Sequence, residues 1–153
     1  MPRVYIPLGN NTYTKLLSDF SFVTSIGSNV LQYAFYNSTG LTGSVSFPNL
    51  TSIGSNGLYR AFNGCTGLTG IFFPSLTSIE SSGLSNAFNG CTGLTGSISF
   101  PSLTSIGSSG LINAFNGCTG ITEVHFKSSL SGNSQCTTSN MKCTNATVYF
   151  DLP

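Results

Sequence analysis

The feature that most constrains this chain is an internal repeat. Ala34-Phe35, Ala61-Phe62, Ala87-Phe88 and Ala114-Phe115 fall into register at steps of 27, 26 and 27 residues. The same register aligns Leu41, Leu68, Leu94 and Ile121, then Phe47, Phe73, Phe100 and Phe126, then Ile26, Ile53, Ile79 and Ile106, so every aligned column is apolar. A fixed period in this range is the signature of a solenoid, whose units cannot bury their apolar faces alone and must stack. The change between 26 and 27 comes from one glycine: Gly43 and Gly96 precede their strands and the sister repeats lack that position, which places the difference in a loop.

Within a repeat the hydrophobic period changes. Leu84, Ala87, Phe88 and Cys91 are spaced i, i+3, i+4, i+7, as are Leu58, Ala61, Phe62, Cys65 and Leu111, Ala114, Phe115, Cys118. This spacing predicts a short helix of about two turns in each repeat. Ser81 and Ser108 stand where its N-cap would be, and Gly90, Gly93, Gly117 and Gly120 where it must stop. Period-two segments follow: Ser44-Val45-Ser46-Phe47, Gly70-Ile71-Phe72-Phe73, Ser97-Ile98-Ser99-Phe100 and Glu123-Val124-His125-Phe126. They read as strands with one buried face, the first three closed by Pro48, Pro74 and Pro101. The expected fold is an α/β solenoid, a right-handed coil of about four repeats of 26 to 27 residues, each a short helix plus a short parallel strand. Residues 1–20 and 127–153 read as N- and C-terminal caps around a solenoid of residues 21–126, all one domain.

Composition narrows the functional classes. Ser, Thr, Asn and Gly supply 75 of the 153 residues, whereas charged residues are only 6%, against about 25% in an ordinary globular protein. Twelve phenylalanines and a net charge of +1 argue against disorder. Near-neutrality gives no electrostatic footprint for nucleic acid, and it removes the repulsion that keeps proteins apart, so a homo-oligomer is an expectation. The start of the chain carries one basic residue and no signal-peptide core, and no later run approaches the ~20 apolar residues of a membrane span.

The outward positions of the strands, Ser44, Ser46, Phe72, Ser97, Ser99, Glu123 and His125, form the candidate binding face, with Phe72 the aromatic exception among serines. Phe35, Phe62, Phe88, Phe115, Cys65, Cys91 and Cys118 form the expected core ladder. The three thiols read as small buried side chains, since stacked positions lack disulfide geometry and no His or fourth Cys completes a zinc site. Cys136 and Cys143, outside the repeat, are candidates for a disulfide in an oxidising setting. Glu123 and His125 bring an acid and a base to one strand face, but no nucleophile, oxyanion site or orienting group accompanies them, so no catalytic residues, cofactor or metal are assigned. Glycine pairs such as Gly64 and Gly67 lack the lysine and Ser/Thr of a phosphate loop. Four Asn-x-Ser/Thr sequons (Asn10, Asn37, Asn49, Asn145) are expected from composition alone.

Leu-Thr-Ser-Ile-Gly (50–54 and 103–107), followed by Ala-Phe-Asn-Gly-Cys-Thr-Gly and a short strand ending in Pro, resembles the BspA-like leucine-rich repeat family over residues 21 to about 126. The coils are longer than the usual pattern, with inserts at Ser-Ser-Gly-Leu and before the strand. The resemblance implies a non-catalytic protein–protein or host-surface recognition and adhesion module, since family members are mostly bacterial or protist surface proteins and similar repeats occur in bacteriophage proteins. It implies a protein or cell-surface glycan as partner. With no leader visible, it also implies a phage-encoded virion component, or a chain cytoplasmic on synthesis and then displayed at a surface. The alternative is a purely structural, self-assembling capsid or tail decoration protein.

Overall fold

The computed structural model describes residues 20–153; the N-terminal cap expected over 1–20 lies, but for Phe20, outside the described residues. The described chain is a parallel β-solenoid of about five turns. Nine short strands alternate between two sides of the coil: β1 (Ser25–Ile26), β3 (Ser52–Ile53), β5 (Ser78–Ile79) and β7 (Ser105–Ile106) on one, and β2 (Gly43–Ser46), β4 (Leu68–Phe72), β6 (Thr95–Phe100), β8 (Gly120–Lys127) and β9 (Thr147–Leu152) on the other. The first set forms one parallel sheet in the order β1-β3-β5-β7, in which Ile26, Ile53, Ile79 and Ile106 stand in register. The second set is two sheets, β2-β4 and β6-β8-β9, all pairings parallel.

The helix expected in each repeat does not form, and four repeats become about five turns. Over 29–37, 56–64, 82–90 and 109–117 the backbone is a chain of tight turns in which every fourth residue is left-handed: Asn29, Tyr33, Asn37; Asn56, Arg60, Gly64; Ser82, Asn86, Gly90; Ser109, Asn113, Gly117. An α-helix cannot contain such residues, and glycine and asparagine are the types that tolerate them. Hydrogen bonding gives the reason the turns win. Alternate N–H groups donate locally to the carbonyl three residues back, as Ala61 does to Leu58 and Cys65 to Phe62. The intervening ones donate to the next turn of the solenoid: Leu58 to Gly83, Arg60 to Ser85, Phe62 to Ala87, Gly64 to Asn89. An α-helix spends all these donors internally; here half of them tie one coil to the next. A four-residue turn period also reproduces the i, i+3, i+4, i+7 apolar spacing, so Leu58, Ala61, Phe62 and Cys65 do point inward and are fully buried.

Two phenylalanine stacks run through the interior. Phe20, Phe47, Phe73, Phe100, Phe126 and Phe150 follow one another at centroid separations of 4.6, 5.5, 6.1, 5.4 and 6.0 Å, and Phe35, Phe62, Phe88 and Phe115 at 4.9, 5.4 and 5.9 Å. These spacings bracket the strand separation of a β-sheet, about 4.8 Å, so ring stacking and backbone pairing are satisfied by the same rise. Hydroxyls close the coil edges: Thr51, Thr77 and Thr104 each donate to the carbonyl of the equivalent residue one turn back (Thr24, Thr51, Thr77), and Ser75 and Ser102 donate to Pro48 and Pro74. The fifth turn comes from residues that sequence periodicity sets apart. Asn113 and Phe115 donate to Asn140 and Met141, Gln135 Oε1 accepts from Leu111 N–H, and the single helical turn Thr138–Met141 is capped by Thr137. β9 then pairs with β8 and sets Phe150 on Phe126.

Candidate recognition surface

The seven outward residues expected on the strand face all lie on β2, β4, β6 and β8, and alternation explains their exposure. Val45, Ile71, Ile98 and Val124 point inward and are buried, so their neighbours point out. Ser44, Ser97 and Ser99 are exposed, and Ser46, Glu123 and His125 half-buried. Phe72 is 52% exposed, unlike the phenylalanines of the two stacks.

Phe72 stands at a break in the sheet. β2 pairs with β4 and β6 with β8, each with one register irregularity beside an inserted glycine, Gly43 or Gly96, but no ladder joins β4 to β6. At the first junction Phe47 N–H donates to the Phe72 carbonyl, within one continuous sheet edge. Between β4 and β6 lies instead a shallow cleft of about 180 Å³, lined by Ile71, Phe72, Phe73, Pro74, Ser97, Ser99 and Pro101. An aromatic ring, two prolines and two serine hydroxyls therefore share one concavity in which a flat apolar group and a hydrogen-bonding group could be held together.

At the C-terminal end of the same face the charged residues form a network. His125 Nε2 lies 2.8 Å from Glu123 Oε2, and His125 Nδ1 lies 2.9 and 3.0 Å from the two carboxylate oxygens of Asp151. Ser97 Oγ donates to Glu123 at 3.2 Å, and the Tyr149 ring stacks on the imidazole at 4.9 Å. Hydrogen bonds from Asp151 and then Glu123 raise the His125 pKa, and those from His125 and then Ser97 lower that of Glu123. The sequence places Glu123 beside His125 on one strand face; the signal for Asp151 is its distance of 26 residues from His125, one repeat period.

The core ladder residues lie on the opposite, turn side. Phe35, Phe62, Phe88, Phe115, Cys65, Cys91 and Cys118 are all buried. Each thiol donates to the carbonyl of the phenylalanine one turn back: Cys65 to Phe35, Cys91 to Phe62 and Cys118 to Phe88, each at 3.0 Å. Burial pushes the thiols of Cys65 and Cys118 up to about 12 and that of Cys91 higher still, so they are protonated donors at neutral pH rather than nucleophiles. Cys136 and Cys143 are buried free thiols. Burial raises both, Cys136 to about 12, and Cys143 lies close enough to Cys118 to act on it electrostatically, beneath the thiol ladder. Among the described residues no His/Cys/Asp/Glu group has metal-binding geometry, and no helix is long and apolar enough to cross a membrane.

The family model described as "BspA type Leucine rich repeat region (6 copies)" matches residues 84–151, from the third turn through β9 in the fifth. No curated protein matches the chain. The crystal structure of a T. pallidum leucine-rich repeat protein is similar at 21% identity and a TM-score of 0.46, over 86% of this chain and 64% of that one. The inward columns and one-coil spacing of residues 84–151 are therefore similar to those of a BspA-type leucine-rich repeat region.

Proposed function

We propose that this chain is a non-catalytic recognition module whose strand face, centred on Phe72, binds a protein or a cell-surface glycan in an adhesive role, as part of a phage particle or displayed on a bacterial surface. The observation that carries the reading is the half-exposed Phe72 ring over the cleft between β4 and β6, with Ser97 and Ser99 across it and Ser44 and Ser46 beyond. Solenoid proteins present side chains in columns, and a face of serines gains specificity where the column is broken. Leucine-rich repeat families act in general through such surfaces, which supports binding over catalysis.

The experiment screens wild-type protein and Phe72→Ser against a glycan array and a panel of purified bacterial surface proteins. A signal that falls at least about tenfold with Phe72→Ser, the loss of one hot-spot side chain, supports the site; a signal that survives the substitution overturns it. A second reading, self-assembly as a structural or decoration protein, draws on Phe22, Val30, Tyr33 and Tyr36, all exposed on the first turn, and on the net charge of +1. Light scattering across a hundredfold concentration range separates the two: a multimer that survives Phe72→Ser favours assembly, and a monomer favours recognition.

A further inference from the structure

We propose that the His125 cluster is a pH-sensitive latch that fastens the fifth turn of the solenoid to the fourth, closed in mildly acidic solution and loosened as the imidazole loses its proton. The geometry carries this. Both ring nitrogens lie within 3.0 Å of carboxylate oxygens, Nε2 facing Glu123 on its own strand and Nδ1 facing Asp151 on β9. Only an imidazolium has a proton for each. A neutral ring keeps one, leaving the other nitrogen's lone pair against a carboxylate, so deprotonation replaces an attraction with a repulsion across or beside the β8–β9 junction.

The surroundings leave the cluster little compensation. From β9 the ring meets Asp151 and the stacked Tyr149; from β8, Glu123; from β6, Ser99 in register and Ser97 through Glu123. Lys127, two residues along β8, makes no bond to either carboxylate. β9 itself is the last strand of its sheet, its inward Val148 and Phe150 only half-buried, so its attachment rests on one neighbour. His125 is stabilised in its charged form by folding. Its contribution is complete below the ordinary imidazole value of 6.5 and is lost as pH rises through the raised folded value. Glu123 works at the other limit: its contribution is present above the ordinary 4.5 and is lost as acid titrates the lowered carboxyl. The latch is therefore tightest between these limits. This inference is independent of what the strand face binds.

His125 is the only histidine in the chain, so one imidazole resonance reports on it without assignment. The experiment titrates that resonance by NMR in wild type and Asp151→Asn. In wild type and His125→Gln it also follows amide-exchange protection of β9, corrected for intrinsic rates, with Leu58 and Phe62 amides as a distant reference. The expected result is a wild-type midpoint above 6.5 that falls in Asp151→Asn. Protection of the β9 amides that face β8 should drop as wild type passes through its midpoint while the reference amides hold, and should stay level in His125→Gln. A midpoint at or below 6.5, one unmoved by Asp151→Asn, or β9 protection that ignores the titration overturns the proposal.

Discussion

The turn side and the strand side of this solenoid contain the same number of coils but are joined differently. On the turn side, alternate N–H groups donate to the next coil throughout the runs 29–37, 56–64 and 82–90, and Asn113 and Phe115 do so again toward the fifth turn. On the strand side, the ladder stops between β4 and β6. The difference follows from where length varies. The turn runs keep their left-handed residues at a fixed spacing in the first four coils, so each coil is a copy of the one below. The segments leading into the strands carry the single-glycine insertions, Gly43 and Gly96, and pairing there shifts register within each glycine-bearing pair and lapses between pairs. A β-ladder tolerates a one-residue insertion by bulging, at the cost of local pairing. The turn side therefore holds the stack together, and the interrupted strand side is free to vary and to expose Phe72.

This contrast can be broken by substitution. Phe88, buried between Phe62 and Phe115 and edge-on to Phe73 at 6.3 Å, links both stacks. Phe88→Ala should destabilise the fold by about 3–5 kcal/mol, read from denaturant unfolding. A cost below about 1 kcal/mol would show that the turn-side column does not carry the stack. The glycines give a finer comparison. A Cβ at Gly93 would lie 2.6 Å from the carbonyl oxygens of Thr66 and Leu68, where two coils touch, whereas a Cβ at Gly96 meets nothing within 4 Å and only the left-handed φ of 77° resists it. Gly93→Ala should cost about 2 kcal/mol and Gly96→Ala about 1 kcal/mol in the same measurement. Reversal of that order would place the tight constraint in the insertion loop instead of the coil contact. The smallest effect belongs to Phe72→Ser, expected to change stability by no more than about 0.5 kcal/mol, since the ring is half in water. A large loss would make Phe72 a packing residue rather than a binding one.

What was legible in the sequence was every column, and for one reason: inward positions repeat because each coil must present the same shape to its neighbours. Phe47, Phe73, Phe100 and Phe126 were read as one column and do stack, and Ile26, Ile53, Ile79 and Ile106 stand in register. The helix was misread because turns of four residues and an α-helix place apolar side chains at the same offsets. The discriminating signal was the recurrence of Asn or Gly four or eight residues apart, as at Asn86 and Gly90, or Asn29 and Asn37. The fifth turn was hidden because it lacks the Ala-Phe pair. Its traces were the alternation in Thr147-Val148-Tyr149-Phe150 and the placement of Cys143 25 residues after Cys118.

By itself the sequence determined that the chain coils, what faces inward and which outward residues depart from the pattern, because burial imposes one periodic rule that a single chain must write out. Tertiary structure alone decided whether a backbone donor bonds within its own coil or to the next, where the strand ladder breaks, and that Asp151 reaches His125. Those are choices between equally patterned local conformations, and they are settled by what the neighbouring coil offers in return: a carbonyl at the right height, or a carboxylate one turn away.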